Sequence, residues 1–289
     1  MPQGPNDDLG GTFPFEPRFL SAGDVRLHYV DEGPSDAAPI LFVHGNPTWS
    51  YLWRRPIAAL SERGRRCVAF DHMGFGRSDK PPTPKRYVLQ AHIDNALALI
   101  DELDLRDATL VAHDWGGPIG LGALVERPDR FSRAVLINTW AWELPSFLPP
   151  FLREFRTEGL GEILALGGNL FVESIPGGMA TRETDPVMMD AYRAPFPDYW
   201  SRIGTLAFQR DIPLTERDTS ARLMGSIHDR LEALELPLTL LWGMRDTVFR
   251  PVFIDQWREL FPQAEVIELA DAAHFVPEDR PDAVIDALA

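Results

Sequence analysis

The chain has a single cysteine, Cys67, and no run of apolar residues long enough to span a membrane. A lone cysteine excludes an internal disulfide and is typical of a reducing compartment. A membrane span needs roughly 18 continuous apolar residues. The first residues, MPQGPNDDLGG, lack the basic flank and the apolar stretch of a secretory signal. These absences predict a cytoplasmic protein that has no membrane partner.

Positive charge is scarce, because 28 lysines and arginines face 43 aspartates and glutamates, for a net charge of −15. An acidic surface repels phosphate backbones, which predicts no nucleic-acid partner and favours neutral small molecules, although solubility explains the charge equally well. The spacings of zinc, paired-cysteine and calcium sites are absent, so we expect no metal. The loop at 71–79 lacks the third glycine of a dinucleotide fingerprint, so we expect no cofactor. The composition favours neither a monomer nor a homo-oligomer.

Short apolar segments alternate with helical patterns along most of the chain. Strands are predicted at residues 25–30, 40–43, 66–70, 109–112, 134–137, 238–242 and 265–269. Helices are predicted at residues 49–60, 88–103, 117–125 and 252–260. Because such alternation builds right-handed βαβ units, we expect an α/β protein with a mostly parallel central sheet and helices on both of its faces.

Residues 141–220 interrupt this alternation with prolines, glycines and aromatic residues and without a convincing strand. We predict an inserted helical cap at 141–220 and a core domain built from residues 1–140 and 221–289. Ligands of open parallel sheets bind outside the carboxyl ends of the strands, where a cap would form the roof of the site. Cap side chains would then set the substrate preference, among them Phe147, Phe151, Phe171 and Leu206.

The stretch LVAHDWGG at 110–117 has the pattern of a nucleophile elbow, in which a strand, one polar residue between small neighbours, and a helix follow each other directly. This pattern predicts the α/β-hydrolase fold. The central residue is Asp114, whose carboxylate is ionised at neutral pH and can attack an sp3 carbon and displace a leaving group. The product would be an ester on the enzyme. The alternative, an aspartate that only caps the next helix, is less favoured.

His274, which follows the last predicted strand, is the candidate base that activates water against this ester. A histidine in this role needs an acid partner to orient it. Two positions are usual in this fold, and the first, after the strand that follows the elbow, holds Asn138. The second, after the cap, holds Asp246, which we therefore choose; Asp271 is a competitor that more plausibly shapes the loop before His274.

Asn46 follows the strand at 40–43 within the motif His-Gly-Asn-Pro, and Trp115 follows the nucleophile. Their backbone N–H groups are predicted to form the oxyanion hole. Their side chains would offer two further N–H donors to the pocket. Two neutral donors without a nearby cation suit a soft leaving anion such as a halide.

With these residues in place, the sequence resembles the haloalkane dehalogenases over nearly its whole length. The resemblance rests on the motifs at 44–49, 51–54, 71–80, 113–117, 192–196 and 273–275. It implies hydrolysis of a small neutral haloalkane to an alcohol, a halide ion and a proton, with Asp114 as nucleophile and His274 as base. It also implies that Asn46 and Trp115 bind the halide, and that the acid after the cap is Asp246.

Other interpretations stay open. One branch of the family takes its second halide donor from a cap tryptophan, and Trp140 and Trp142 lie close to the start of the cap. Epoxide hydrolases share the aspartate elbow and use two cap tyrosines as acids, a role open to Tyr192 and Tyr199. A catalytically silent scaffold or a luciferase-like relative is a further alternative.

Overall fold

The computed structural model describes residues 9–143, 150–181 and 184–289. The strands of this part of the chain form one sheet and comprise β1 (Arg18–Ala22), β2 (Val25–Glu32), β3 (Pro39–Val43), β4 (Arg66–Phe70), β5 (Ala108–Asp114), β6 (Phe131–Thr139), β7 (Leu238–Gly243) and β8 (Glu265–Leu269). All seven predicted strands are present. The sequence did not predict β1, because this short edge strand is only partly buried and its apolar residues, Phe19, Leu20 and Ala22, do not alternate regularly with polar ones.

The strand order is β1-β2-β4-β3-β5-β6-β7-β8. β1 pairs with β2, and β2 with β4, in antiparallel orientation. All other neighbouring strands in this order are parallel. The central strands β3 and β5 are buried along their whole length, which explains their unbroken apolar sequences. The mostly parallel α/β sheet predicted from the sequence is therefore confirmed, and the carboxyl ends of β3, β5, β6 and β7 meet at one edge.

The helices of the described chain flank and cover this sheet. They are α1 (Arg54–Glu62), α2 (Leu89–Glu102), α3 (Gly116–Glu126), α4 (Pro150–Glu154), α5 (Leu170–Glu173), α6 (Pro186–Arg193), α7 (Ile203–Asp211), α8 (Ala221–Leu231), α9 (Val252–Leu260), α10 (Val276–Asp279) and α11 (Pro281–Asp286). The helix predicted at 49–60 begins as a 3-10 turn, Ser50–Trp53, and continues as α1. Within the described residues, no helix has both the length and the apolar character of a membrane span.

The segment between β6 and β7 contains α4 to α8, a π-helical turn, Glu162–Gly167, and 3-10 turns, but no strand among its described residues. α7 contacts the loop after β3, since the backbone carbonyl of Thr205 accepts a hydrogen bond of 3.0 Å from the Asn46 side chain. α8 begins at Ala221, where the sequence placed the end of the cap. The division into a core and a cap with those boundaries stays a prediction.

Gly116, the first residue of α3, permits the tight turn between β5 and this helix. A Cβ atom at this position would lie 2.1 Å from the backbone carbonyl oxygen of Val43 on the neighbouring strand β3. Because a backbone atom cannot rotate away as a side chain can, a larger residue would force β3 and α3 apart. The small residue predicted here from the elbow pattern is therefore required by packing.

We expect Gly116→Ala to lower the free energy of unfolding by about 1–3 kcal/mol or more, through this overpacking. The matched control is Gly225→Ala in α8, where an added Cβ meets no atom within 4 Å. That substitution should raise the stability by up to about 1 kcal/mol, because alanine is the better helix former. Urea titrations of both variants measure the difference, and equal stabilities would contradict the packing argument.

Candidate active site

Asp114 is the last residue of β5 and has a left-handed backbone with φ of 52°. Its Oδ1 atom accepts a hydrogen bond of 2.7 Å from the backbone N–H of Asn46. Its backbone carbonyl accepts one of 2.5 Å from the Thr139 hydroxyl. Gly45 passes so close that a Cβ there would lie 2.3 Å from Oδ1. The strained conformation is thus held by neighbours on both sides and directs the carboxylate out of the sheet edge.

Burial raises the pKa of the Asp114 carboxyl to about 6. The positive charge of a protonated His274 and the backbone N–H groups of Trp115 and Asn46 oppose this rise. The side chain is therefore ionised at neutral pH and poorly solvated, since only 8% of the residue is exposed. A desolvated carboxylate is a stronger nucleophile than one surrounded by water.

His274 lies between two carboxylates. Its Nδ1 atom is 2.9 Å from Asp246 Oδ2, and its Nε2 atom is 3.9 Å from Asp114 Oδ2. Burial lowers the pKa of His274, but the charge and hydrogen bond of Asp246 outweigh it, so the net shift is upward. The imidazole therefore points its free nitrogen at the nucleophile, as a base would. Asp271, the competing acid, lies outside this group and pairs with Arg280.

Asn138 has a part in the site that the sequence did not predict. Its Nδ2 atom donates to Asp246 Oδ2 at 2.9 Å, and its Oδ1 atom accepts from the backbone N–H of Gly243 at 2.8 Å. The other carboxylate oxygen of Asp246 accepts from the backbone N–H of Val248 at 2.6 Å. Burial raises the pKa of Asp246, but these contacts together with His274 outweigh it and lower the pKa. The signal available in the sequence was a polar residue, Asn138, directly after the apolar run 134–137; the structure shows it fully buried with φ of 36°.

The side chains of Asn46 and Trp115 both lie at the carboxyl ends of their strands. One N–H of the Asn46 amide donates to Thr205, which leaves its second N–H available. The Trp115 indole is 2% exposed, and its Nε1 atom has no hydrogen-bond acceptor among the described residues. Its ring packs edge-on against Phe208 of α7, with centroids 5.0 Å apart. Among the described residues, the second Asn46 N–H and the Trp115 indole N–H therefore have no hydrogen-bond acceptor.

Trp140 and Trp142, the alternative halide donors, pack elsewhere. The Trp140 ring contacts Trp115 edge-on and stacks on Phe249, whereas Trp142 packs against Trp257. Both indole nitrogens lack an acceptor among the described residues. Neither ring lines the cavity described next, and Trp115 is not among its lining residues either, so adjacency to Asp114 in the chain is what separates the three tryptophans. The position of Trp115 directly after the nucleophile therefore favours it as the donor.

A cavity of about 300 Å³ opens in front of Asp114, His274 and Asn46. Apolar side chains make up much of its wall, including Pro47, Leu152, Phe171, Val248 and Phe275. Of the cap residues predicted to shape the pocket, Phe171 lines it and Leu206 does not; Phe147 and the side chain of Phe151 lie outside the described residues. The volume and the lining suit a small, largely apolar molecule.

Tyr192 and Tyr199 do not line this cavity. The Tyr192 hydroxyl is buried and donates to Glu278 Oε1 at 2.6 Å, and Glu278 in turn forms a buried ion pair with Arg54. Burial and the nearby Glu278 raise the pKa of Tyr192 well above its usual value, which makes it a poor acid. Tyr199 is 42% exposed and packs on the exposed Trp200. This arrangement does not supply the two acids that epoxide opening needs.

We expect Tyr192→Phe to lower the free energy of unfolding by about 1.5–3 kcal/mol, because it removes a buried hydrogen bond to a charged group. Catalytic turnover should not change. The control is Tyr199→Phe, which should stay within about 0.5 kcal/mol of the wild type. Chemical denaturation and turnover are measured on both variants; lost turnover at unchanged stability would place Tyr192 in the mechanism after all.

The family model of the α/β hydrolase fold matches residues 38–167 and 179–281. The chain therefore belongs to the α/β-hydrolase fold family. Among solved structures, an ancestral haloalkane dehalogenase superposes with a TM-score of 0.87 at 33% identity, and covers 94% of this chain and 96% of its own. The dehalogenase DbeA from Bradyrhizobium elkani gives a TM-score of 0.88 at 30% identity, with 95% and 96% coverage. The resemblance to the haloalkane dehalogenases is thus confirmed.

Curated relatives carry two different activities. Haloalkane dehalogenase 2 of Mycobacterium tuberculosis is 38% identical over 96% of this chain and 94% of its own length. A cis-3-alkyl-4-alkyloxetan-2-one decarboxylase of Shewanella oneidensis is 40% identical over 96% of this chain and 88% of its own. Family membership therefore establishes an α/β-hydrolase scaffold shared with dehalogenases, and the reaction has to be argued from the site.

Proposed function

We propose that this protein is a haloalkane dehalogenase that hydrolyses a small neutral haloalkane to an alcohol, a halide ion and a proton. The observation that carries the proposal is the convergence of two groups in one apolar cavity. Asp114 presents a buried carboxylate, and His274 Nε2 lies 3.9 Å from it. The cytoplasmic location predicted from the sequence is part of this proposal.

In the first step, Asp114 Oδ2 attacks the carbon that carries the halogen. The other oxygen, Oδ1, is held by the Asn46 backbone N–H, so Oδ2 is the oxygen that faces the cavity and His274. A carbon–oxygen bond forms as the carbon–halogen bond breaks, and the halide leaves with the bonding pair. The free N–H of the Asn46 amide and the indole N–H of Trp115 are the donors proposed to stabilise it.

In the second step, water attacks the carbonyl carbon of the resulting ester. His274 Nε2 takes a proton from this water, and the Asp246 carboxylate stabilises the imidazolium through Nδ1. Negative charge develops on Asp114 Oδ1, where the backbone N–H groups of Asn46 and Trp115 form the oxyanion hole. Collapse of the tetrahedral intermediate expels the alkoxide, which takes the proton from the His274 imidazolium and leaves as the alcohol. The Asp114 carboxyl then loses the second proton of the water to solvent and is again a carboxylate.

A second candidate is cleavage of an oxetan-2-one, favoured by the 40% identity to a decarboxylase of that substrate. Attack of Asp114 on the sp3 ring carbon that carries the ring oxygen would break that carbon–oxygen bond and open the lactone. The leaving group is the carboxylate of the opened lactone. Loss of CO2 would then form the alkene and expel the Asp114 carboxylate, so this path needs no water. Alkene with CO2, in place of alcohol with halide, is the product that identifies it.

The test of the two-step mechanism is His274→Ala incubated with 1-bromobutane. We expect this variant to release one equivalent of bromide and to accumulate butylated Asp114, because the ester forms but water is not activated. Peptide mass spectrometry locates the adduct. Asp114→Asn should give neither bromide nor adduct, and the matched control His228→Ala, in the half-buried part of α8, should turn over normally.

Two outcomes would reject the dehalogenase proposal. Absence of bromide and of adduct with every alkyl bromide would leave a catalytically silent scaffold. Absence of bromide, combined with alkene and CO2 from a cis-3,4-dialkyloxetan-2-one, would make decarboxylation the activity. Formation of diol from styrene oxide would return the epoxide hydrolase interpretation.

Activity is expected to fall in two stages as the pH is lowered. The second step needs neutral His274, whose pKa is raised above its ordinary value, so steady-state turnover falls first. The first step needs ionised Asp114, whose pKa is about 6, so the initial burst of bromide falls only as the pH passes below about 6. Rapid-quench measurements separate the two; a burst that persists well below this pH would contradict the assignment.

A further inference from the structure

Gln209, a residue of α7, adds a buried amide to the active-site cavity that the mechanism does not use. Its side chain lines the cavity together with Asp114, Asn46 and His274, and the residue is 8% exposed. Its Oε1 atom has no hydrogen-bond donor among the described residues. An unpaired acceptor in a buried position opposes folding, so its presence here needs a reason other than packing.

α7 carries this amide together with residues that contact Asn46 and Trp115, the two proposed halide donors. Gln209 follows Thr205 by four residues, so both lie on the same face of the helix. Thr205 holds the side chain of Asn46, and the neighbouring Phe208 packs on Trp115. Arg156 fixes the end of the helix through a hydrogen bond of 3.0 Å to the Gln209 carbonyl. The amide is therefore carried on a supported helix and lines the same cavity as Asp114, Asn46 and His274.

The other buried polar groups of the cavity have partners or roles, with one exception, whereas Arg245 and Thr247 are exposed parts of its wall. Asp246 and His274 bind each other, and the Ser174 hydroxyl donates to the Phe171 carbonyl at 2.7 Å. The exception is Asn46, whose Oδ1 atom, like that of Gln209, lacks a donor among the described residues. A plain haloalkane has no O–H or N–H group and would pair with neither oxygen. A substrate with an O–H or N–H group could donate a hydrogen bond to one of these oxygens.

We propose that the Gln209 carboxamide binds a hydroxyl group of the substrate, so that the preferred substrate is a halogenated alcohol with its hydroxyl two or three carbons along the chain from the halogen. This inference rests on the proposed dehalogenase function. The hydroxyl donates to Gln209 Oε1 while Asp114 attacks the halogenated carbon. Gln209 thereby acts in substrate recognition and takes no part in bond making or breaking.

The test compares substrate pairs that differ only by a hydroxyl in place of a methyl group. The pairs are 3-bromopropan-1-ol with 1-bromobutane, and 1-bromopropan-2-ol with 1-bromo-2-methylpropane. For each pair, the ratio of kcat/KM, hydroxyl over methyl, is measured from bromide release at neutral pH, against an enzyme-free blank that corrects for ring closure. In the wild type we expect at least one ratio above one. In Gln209→Met, of similar length but without hydrogen-bonding atoms, that ratio should fall at least about tenfold.

A matched control is Gln256→Met, because Gln256 also has a buried Oε1 without a donor among the described residues but lines a different cavity. Its ratios should equal those of the wild type. Should Gln209→Met fail to fold by circular dichroism, Gln209→Leu replaces it.

Wild-type ratios of one or less, or ratios that Gln209→Met leaves unchanged, overturn the inference, since a water molecule would then satisfy the amide. Absence of bromide from all four substrates overturns the proposed function instead. The two failures are therefore distinguishable.

Discussion

The left-handed turn at Asp114 is the constraint on which the arrangement of the site depends. A residue with φ of 52° at the end of β5 places its carboxylate beyond the sheet edge, where the neighbouring chain must come close enough to hold it. Gly45 and Gly116 allow that approach because neither has a side chain. The same approach brings the Asn46 N–H to Oδ1, so the turn that strains the backbone also creates the oxyanion donor.

The ionisation of Asp114, His274 and Asp246 is governed by their burial and by their contacts with each other. Removing Asp114 from water raises its pKa, and Asp246 places a second carboxylate on the far side of His274. The pair stays ionised because His274 lies between the two charges and because Asn138 and Val248 donate hydrogen bonds to Asp246. Asn138 thus occupies the first of the two acid positions expected for this fold and donates a hydrogen bond to Asp246, the proposed acid.

The two candidate reactions proposed for this site would share their first step. Both proposed reactions begin with Asp114 attacking an sp3 carbon and displacing an anion, a halide in one case and the carboxylate of a lactone in the other. They diverge after the ester has formed, since only dehalogenation needs the water that His274 activates. The cavity lining and Gln209 therefore decide more about the substrate than the Asp114–His274 pair does.

The sequence by itself determined the strands of the parallel sheet, because residues buried on both faces leave an uninterrupted apolar pattern, as in β3 and β5. It also placed Asp114, His274, Asp246 and Asn46 at strand ends, which the parallel topology necessarily gathers at one edge. Only the tertiary structure decided which polar groups pair across long separations. In the structure, Tyr192 donates a hydrogen bond to Glu278, 86 residues away, and Asn138 donates one to Asp246, 108 residues away. Gln209 lines the cavity. Such contacts depend on how distant elements pack, and no local pattern of residues records them.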